Sequence, residues 1–105
     1  MTAPSQLTLP QATAQALAAY NGGDWATAER LCRLVIAAKS DYFDALNILG
    51  AIAAQSQRLA EAADWLGRAV AAKPDEASAH YHLGVVLRKR GEFETALARS
   101  QPGAG

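Results

Sequence analysis

The chain has 105 residues, half of them hydrophobic, which is the size of one domain. Its ten basic side chains balance ten acidic ones, so the formal net charge is zero. Balanced charge argues against the clustered basic footprint of a nucleic-acid-binding protein, and no apolar run approaches the roughly 18 to 20 residues of a membrane span. Because the N-terminus lacks the basic region of a secretory signal and a single cysteine excludes an internal disulfide, we expect a cytoplasmic protein that binds neither nucleic acid nor membrane.

The first predicted helix follows a flexible lead over residues 1–7. Thr8 and Gln11 fit a capping box, in which each side chain bonds the backbone N–H of the other residue. We therefore expect the helix to run over about residues 9–20. The run Asn21-Gly22-Gly23 should end it, because these residues reach left-handed conformations at low cost.

Three further helices are predicted from caps and apolar spacing. Asp24 should cap the second helix, and Ser40-Asp41 should cap a third over about 42–55. A fourth is expected over about 59–72. The turn between the third and fourth has Gln57 where a glycine would suit, so the backbone must close differently there or accept strain. The apolar stripe of the second helix comprises Trp25, Ala28, Leu31, Cys32 and Val35.

The C-terminal part predicts two more helices. Asp75 should cap a fifth helix over about 76–90, and Gly91 should end that helix. A sixth helix would begin near Glu92 and be broken after residue 99, leaving residues 101–105 as a disordered tail. Because the sixth helix has room for fewer residues than the second or fourth, the array stops within its last unit. We therefore expect the native chain to continue as part of a longer protein.

These helices recur with a period of 34 residues. Shifting the sequence by 34 places brings Leu49-Gly50 onto Leu83-Gly84, and the stretch 46–74 is the best-matched unit. The same shift aligns three further sets of residues: Ala28 with Ala62 and Ala96, Trp25 with Leu59 and Phe93, and Gly23 with Gln57 and Gly91. A fixed period of this length is typical of stacked helical hairpins.

On these residues the chain resembles the tetratricopeptide repeat family, in its alanine-rich bacterial type. Leu-Gly in a first helix, alanine in the second and a late proline such as Pro74 are the family's pattern, although Leu46 replaces its tryptophan. The resemblance implies an all-α fold: a right-handed superhelical stack of antiparallel helix hairpins with five to six helices. About two and a half repeats would occupy residues 8–100, at about 9–42, 43–76 and a truncated 77–100.

Gly50 and Gly84 stand out within alanine-rich helical segments. A glycine inside a helix costs about 1 kcal/mol relative to alanine, so each position needs a compensating gain. Close approach of the neighbouring helix would supply it. We expect Ala62 to face Gly50, and Ala96 to face Gly84, across the two hairpins.

Residues for catalysis, metal binding or cofactor binding are nearly absent from the sequence. His80 and His82 lie two positions apart, so on a helix they point to different faces and do not form a metal-chelating pair. Cys32 lies on an apolar stripe, where it is a small core residue. No nucleophile motif or phosphate-binding glycine loop occurs. We predict a non-catalytic protein without cofactor or metal.

The resemblance implies a concave groove, lined by the first helix of each repeat, that takes an extended peptide or a helix. Asn47 in this groove has two interpretations, a solvated helix residue or an amide that binds a ligand backbone. Tyr81 is either an anchor for a ligand or a packing residue. The corresponding positions are Leu17, Tyr20, Asn47, Ala51, Gln55, Tyr81, Val85, Arg88 and Lys89, with Thr13 and Ala54 beside them.

Arg88-Lys89-Arg90 is a basic cluster at the predicted end of the fifth helix. Its charges either complement the helix dipole or contact an acidic ligand. Chaperone-binding members of the family clamp a carboxylate with lysine and asparagine residues from several groove helices. The first repeat here lacks a basic partner for Asn47, so we do not predict a chaperone adaptor.

Three functions remain open from the sequence. The first is a protein-interaction module that binds a peptide or protein segment in its groove. The second is the N-terminal repeat region of a larger bacterial transferase, and the third is a self-assembling scaffold. An apolar edge at the C-terminal end also predicts a homodimer or a domain-swapped pair. That edge comprises Val86, Leu87, Phe93 and Leu97.

Overall fold

The structure, a computed structural model, describes residues 7–99. This part of the chain forms five helices and no strand: α1 (Leu9–Asn21), α2 (Trp25–Ala38), α3 (Phe43–Gln55), α4 (Leu59–Ala72) and α5 (Ala77–Arg99). The predicted tail at 101–105 and most of the predicted lead at 1–7 lie outside the described residues. Leu7, the one lead residue described, packs against the core formed by α1, α2 and α3.

The helices form a stack of hairpins. α1 packs on α2 and α3 packs on α4, while α2 contacts α3 and α4 contacts α5 between the hairpins. The first helices also contact one another, α1 with α3 and α3 with α5. The stack is elongated, with extents of 63 × 29 × 21 Å. The expected all-α hairpin stack is confirmed.

Local capping signals account for where α1 and α2 begin. The Thr8 hydroxyl accepts from the Gln11 backbone N–H at 3.2 Å, and the Gln11 side chain accepts from the Thr8 N–H at 2.9 Å. Asp24 accepts from the Thr27 N–H at 3.2 Å. Hydrogen bonding from the Thr27 side chain, and next from its backbone, lowers the pKa of the Asp24 carboxyl. Both predicted caps are confirmed, because each rests on residues only three positions apart.

The start of α3 differs from the prediction. The helix begins at Phe43, its N-cap is Tyr42, and no side chain caps it. Asp41 lies outside the helix and pairs instead with Lys39 at 3.5 Å. The predicted Ser40-Asp41 cap is therefore wrong. The Asp41 carboxylate pairs with Lys39 in the connecting turn, and no side chain bonds the first backbone N–H groups of α3.

The turns inside the first two hairpins share one backbone conformation. Gly23 has a φ of 87°, and Gln57, at the same place in the repeat, has a φ of 63°. Of the two alternatives predicted for this turn, the second occurs: Gln57 adopts the left-handed region, which is costly for a residue with a Cβ atom. In both hairpins a left-handed residue directs the chain from the first helix into the second.

Gly50 supports the expected close approach of α3 and α4, but with a different partner. A Cβ atom at Gly50 would lie 2.6 Å from Cγ and Cδ2 of Leu66. The opposing residue is therefore Leu66 and not Ala62, which is buried in the same cluster as Leu66. At Gly84 the prediction is wrong, because nothing lies within 4 Å of an added Cβ atom.

The C-terminal helix is the largest departure from the prediction. α5 continues through Gly91 to Arg99, so the predicted turn and the sixth helix do not form. Two ion pairs bridge the glycine at i, i+4 spacing, Arg88 with Glu92 at 3.6 Å and Arg90 with Glu94 at 3.4 Å. A turn at Gly91 would also break backbone hydrogen bonds of α5.

The predicted apolar edge on α5 is partly correct. Val86 does not belong to it, because this side chain is buried against Leu66 and Ala62 of α4. Leu87 and Phe93 are 49% and 63% exposed. The exposed edge therefore lies toward the C-terminal half of α5, where Phe93 lines an open pocket with Leu59 and Ala60 of α4.

Candidate functional site

A cleft lies between the first helices of the first two hairpins. Its volume is about 340 Å³. Of the predicted groove residues it brings together Leu17 of α1 with Asn47 of α3, beside Thr13. The complete lining is Pro10, Thr13, Ala14, Leu17, Tyr42, Asp44, Asn47 and Ile48.

The side-chain amide of Asn47 is not satisfied by the fold. Asn47 is partly exposed, but its Oδ1 atom is buried and accepts no hydrogen bond from any residue in the described part of the chain. Leaving a buried acceptor unpaired costs about 1 to 3 kcal/mol. The terminal amide torsion is broad, so rotation about it can turn either end of the amide into the cleft. The amide of Asn47 thus has hydrogen-bonding capacity that the described part of the fold does not use.

Three other polar side chains of α1 and α3, those of Thr13, Tyr20 and Gln55, form hydrogen bonds within the fold. Thr13 is buried and its hydroxyl donates to the Leu9 carbonyl at 2.7 Å. The Gln55 side-chain amide donates to the Tyr20 hydroxyl, which joins the ends of α1 and α3. Tyr20 also stacks on Trp25, with ring centroids 6.1 Å apart. The bond between Tyr20 and Gln55 therefore links the first two hairpins.

The predicted residues on α3 and α5 beyond the cleft form a more open surface. Ala51 and Ala54 are partly buried and offer no polar group. Val85 is partly exposed, whereas Tyr81 is 69% exposed and meets His82 edge-on at 5.7 Å between ring centroids. The cleft that contains Asn47 does not include these α5 residues.

The basic cluster on α5 is solvated. Lys89 is exposed, and Arg88 pairs with Glu92 at 3.6 Å. Since α5 does not end at Arg90, the dipole interpretation of this cluster no longer applies. Arg88 is thus already paired within α5, whereas Lys89 forms no ion pair among residues 7–99.

Sequence reasoning missed the acidic side of the cleft. Asp44 lies in the first turn of α3, as expected for a helix N-terminal charge, but it also lines the cleft one turn before Asn47. No residue in 7–99 forms an ion pair with it. Its spacing of three residues from Asn47, which places both on one helix face, was the available signal.

Cys32 has the character expected of a core thiol. It is buried, and this burial raises the pKa of the thiol to about 12. Among the residues that the structure describes, no group of three His, Cys, Asp or Glu side chains is placed to hold a metal ion. Within the same residues no helix combines the length and the hydropathy needed to cross a membrane.

Comparisons with known proteins agree with this architecture. A sequence model of the tetratricopeptide repeat matches residues 13–77 and again residues 66–100. Among solved structures, a mutant of the Thermobaculum terrenum O-GlcNAc transferase is similar, with a TM-score of 0.75 and 38% sequence identity. The match covers 83% of this chain but 17% of the transferase chain. No curated protein sequence matches significantly.

Proposed function

Because the chain belongs to the tetratricopeptide repeat family, we propose that it binds an extended peptide or protein segment along the face formed by α1, α3 and α5. Repeats of this family serve protein–protein interaction. The chain itself supplies recognition and no catalysis.

The buried oxygen of Asn47 is the observation that supports this proposal most. An asparagine amide offers both donors and an acceptor, which matches the alternating N–H and C=O groups of an extended backbone. The oxygen accepts no hydrogen bond within residues 7–99, so no internal bond has to break when the amide rotates into the cleft to meet a ligand backbone. Leu17, 48% exposed across the cleft, provides an apolar contact for a ligand side chain.

The charges along this face suggest which charges the ligand carries. Asp44 places a carboxylate at the α1–α3 cleft, whereas Arg88 and Lys89 place cations on α5. A segment with a basic residue near one end and an acidic residue near the other would complement both. These charges are exposed, so they set specificity and association rate more than affinity.

A displayed library of random peptides, selected against the purified chain, tests the proposal even though the natural partner is not identified. Synthetic versions of the enriched peptides would then be titrated into wild type and variants. We expect Asn47→Ala to weaken binding about tenfold, the effect of losing one well-placed hydrogen bond. Arg88→Glu should weaken the binding of peptides that carry an acidic residue.

A matched control is Leu34→Ala on α2, because Leu34 is exposed but lies outside the cleft. It should leave the affinity unchanged. If Asn47→Ala and Arg88→Glu both bind the selected peptides as tightly as wild type does, the groove assignment is wrong.

A second candidate function is that of a recognition region within a larger transferase. The likeness to the O-GlcNAc transferase, at 38% identity over 83% of this chain, favours it. Catalysis would then lie beyond Gly105, and the groove would present the acceptor protein. Sequencing the reading frame past residue 105 tests this candidate, which a frame without a transferase domain would contradict.

A further inference from the structure

A second, wholly apolar pocket lies on the first hairpin, between α1 and α2. Its volume is about 220 Å³, and no residue of α3 lines it. All seven side chains that line it are apolar, among them Leu9, Leu31 and Leu34. Leu34 is 60% exposed, and Ala38, also in the lining, is exposed as well. In the part of the chain that the structure describes, this pocket is therefore open to solvent.

The second hairpin shows how the equivalent place is covered inside the stack. There Phe43 is buried in a cluster against which Trp65 and Ala72 of α4 pack, together with Ile36 of α2. The connection into α3 also accepts a hydrogen bond, from Arg68 of α4 to the Ser40 carbonyl at 3.0 Å. In the second hairpin, therefore, the chain that precedes the first helix packs against both helices. A shift of 34 residues relates the two hairpins: Leu9 to Phe43, Leu31 to Trp65 and Ala38 to Ala72.

The rim of the pocket is more apolar than its equivalent in the second repeat. Asp41 and Arg68 are charged and exposed, whereas their counterparts 34 positions earlier are Leu7 and Leu34. The end of a helical stack needs a polar outer face where it meets water. Leucines at these two places therefore indicate that a further segment lies over them.

We propose that residues 1–6, which precede α1 and lie outside the described residues, form a strap over this pocket. In the 34-residue register Thr2 corresponds to Ile36, and both are β-branched. The strap crosses the first hairpin as residues 36–40 cross the second, with the methyl group of Thr2 in the place of Ile36. Leu7 follows the strap directly and already lines the pocket, so the strap begins at the rim.

The length and the composition of the strap suit this place. Six extended residues reach at most about 20 Å, which is enough to cross a pocket of about 220 Å³. None of the six side chains is charged, so covering the pocket buries no side-chain charge. Removal of the exposed leucine surface from water stabilises the covered state. Pro4 lowers the conformational entropy that the strap loses on ordering.

The strap closes the first hairpin at a place separate from the peptide-binding face. Its pocket shares no lining residue with the cleft that contains Asn47. The strap and the cleft therefore act independently, and this inference does not rest on the proposed function.

Cysteine labelling tests whether the strap is in place. Ala38→Cys puts a thiol in the lining of the pocket, and the control Ala26→Cys puts one on exposed α2 surface outside it. Each would be made in the 105-residue chain and in a chain that lacks residues 1–6. We expect removal of the strap to speed labelling at position 38 at least about fivefold, because a covered thiol reacts only while the strap is open. Labelling at position 26 should not change, and buried Cys32 should not react.

Three results would overturn the proposal. The first is an unchanged rate at position 38 when residues 1–6 are removed, and the second is an equal increase at both positions. The third is protection of position 38 that appears only as the protein concentration rises, because a second copy of the chain would then be the cover.

A matched pair of variants in the full chain gives an answer even if the shortened chain does not fold, which circular dichroism would show. Thr2→Asp places a charge that the apolar pocket does not accommodate, so labelling of Ala38→Cys should speed up as it does on removal of the strap. Thr2→Val keeps the shape and the methyl group, so the rate should stay at or below that of the parent chain. Equal labelling rates in these two variants would overturn the proposal.

Discussion

Replacing Gly50 with alanine tests the close approach of α3 and α4. The added methyl carbon would lie 2.6 Å from Cγ and Cδ2 of Leu66, whereas carbon atoms pack at about 3.5 to 4.0 Å. Leu66 would have to move by roughly 1 Å. This side chain is 1% exposed and lies in a packed cluster with Ala53, Ala62 and Val86, so it has little room to move.

Two opposing terms set the magnitude of the effect. Alanine gains up to about 1 kcal/mol over glycine in a helix interior. Overpacking a well-filled core typically costs about 1 to 3 kcal/mol. Gly50→Ala should therefore lower the free energy of unfolding by up to about 2 kcal/mol. Gly84→Ala has the propensity gain alone and should raise it by up to about 1 kcal/mol.

Urea unfolding followed by circular dichroism would measure both variants, at a protein concentration low enough to favour the monomer. Gly67→Ala is a further control, because nothing lies within 4 Å of its added Cβ atom and it lies on α4. It should behave as Gly84→Ala does. If Gly50→Ala is as stable as these two variants to within about 0.5 kcal/mol, the contact with Leu66 does not constrain the hairpin.

Three other outcomes follow from single residues. Gln57→Gly should raise the free energy of unfolding by about 1 kcal/mol and Gln57→Val should lower it, because φ is 63° at this position. Thermal unfolding would measure both variants, and stabilities equal to that of wild type would show that the backbone at Gln57 is not strained. Asp24→Ala should destabilise at pH 7, and the loss should shrink as the pH falls below 3.8 and through the lowered folded-state pKa, because protonation of the carboxylate removes the cap's contribution; a pH-independent loss in urea unfolding would be contrary evidence. Cys32, whose pKa is raised to about 12, should react with a disulfide reagent at pH 8 only after unfolding, and prompt labelling of the folded chain would disagree.

The sequence predicted helix ends and turns correctly where the residues that determine them are close together in the chain. The capping box at Thr8, the cap at Asp24 and the left-handed turn at Gln57 each depend on a few adjacent residues. Gly91 lies in the same phase as Gln57 but stays helical. Its conformation depends on whether enough apolar surface follows to stabilise a second helix, and this is not a local property.

The packing partners were less predictable than the helices. The repeat period placed Gly50 and Gly84 in equivalent positions, yet only Gly50 has a side chain against it. The contact requires a neighbouring helix that the third unit lacks in this structure. Similarly, Asn47 was a candidate from its phase, but the burial of its oxygen and the presence of Asp44 in the cleft depend on how α1 lies against α3.

The proposal that the face of α1, α3 and α5 binds an extended segment can be tested most directly by NMR. A peptide selected from a displayed library would be titrated into the ¹⁵N-labelled chain. We predict that the side-chain amide of Asn47 and the backbone amides near Leu17 and Asp44 shift, while those near Leu34 do not. Shifts confined to α2 and α4, with the Asn47 amide unchanged at saturation, would contradict the account.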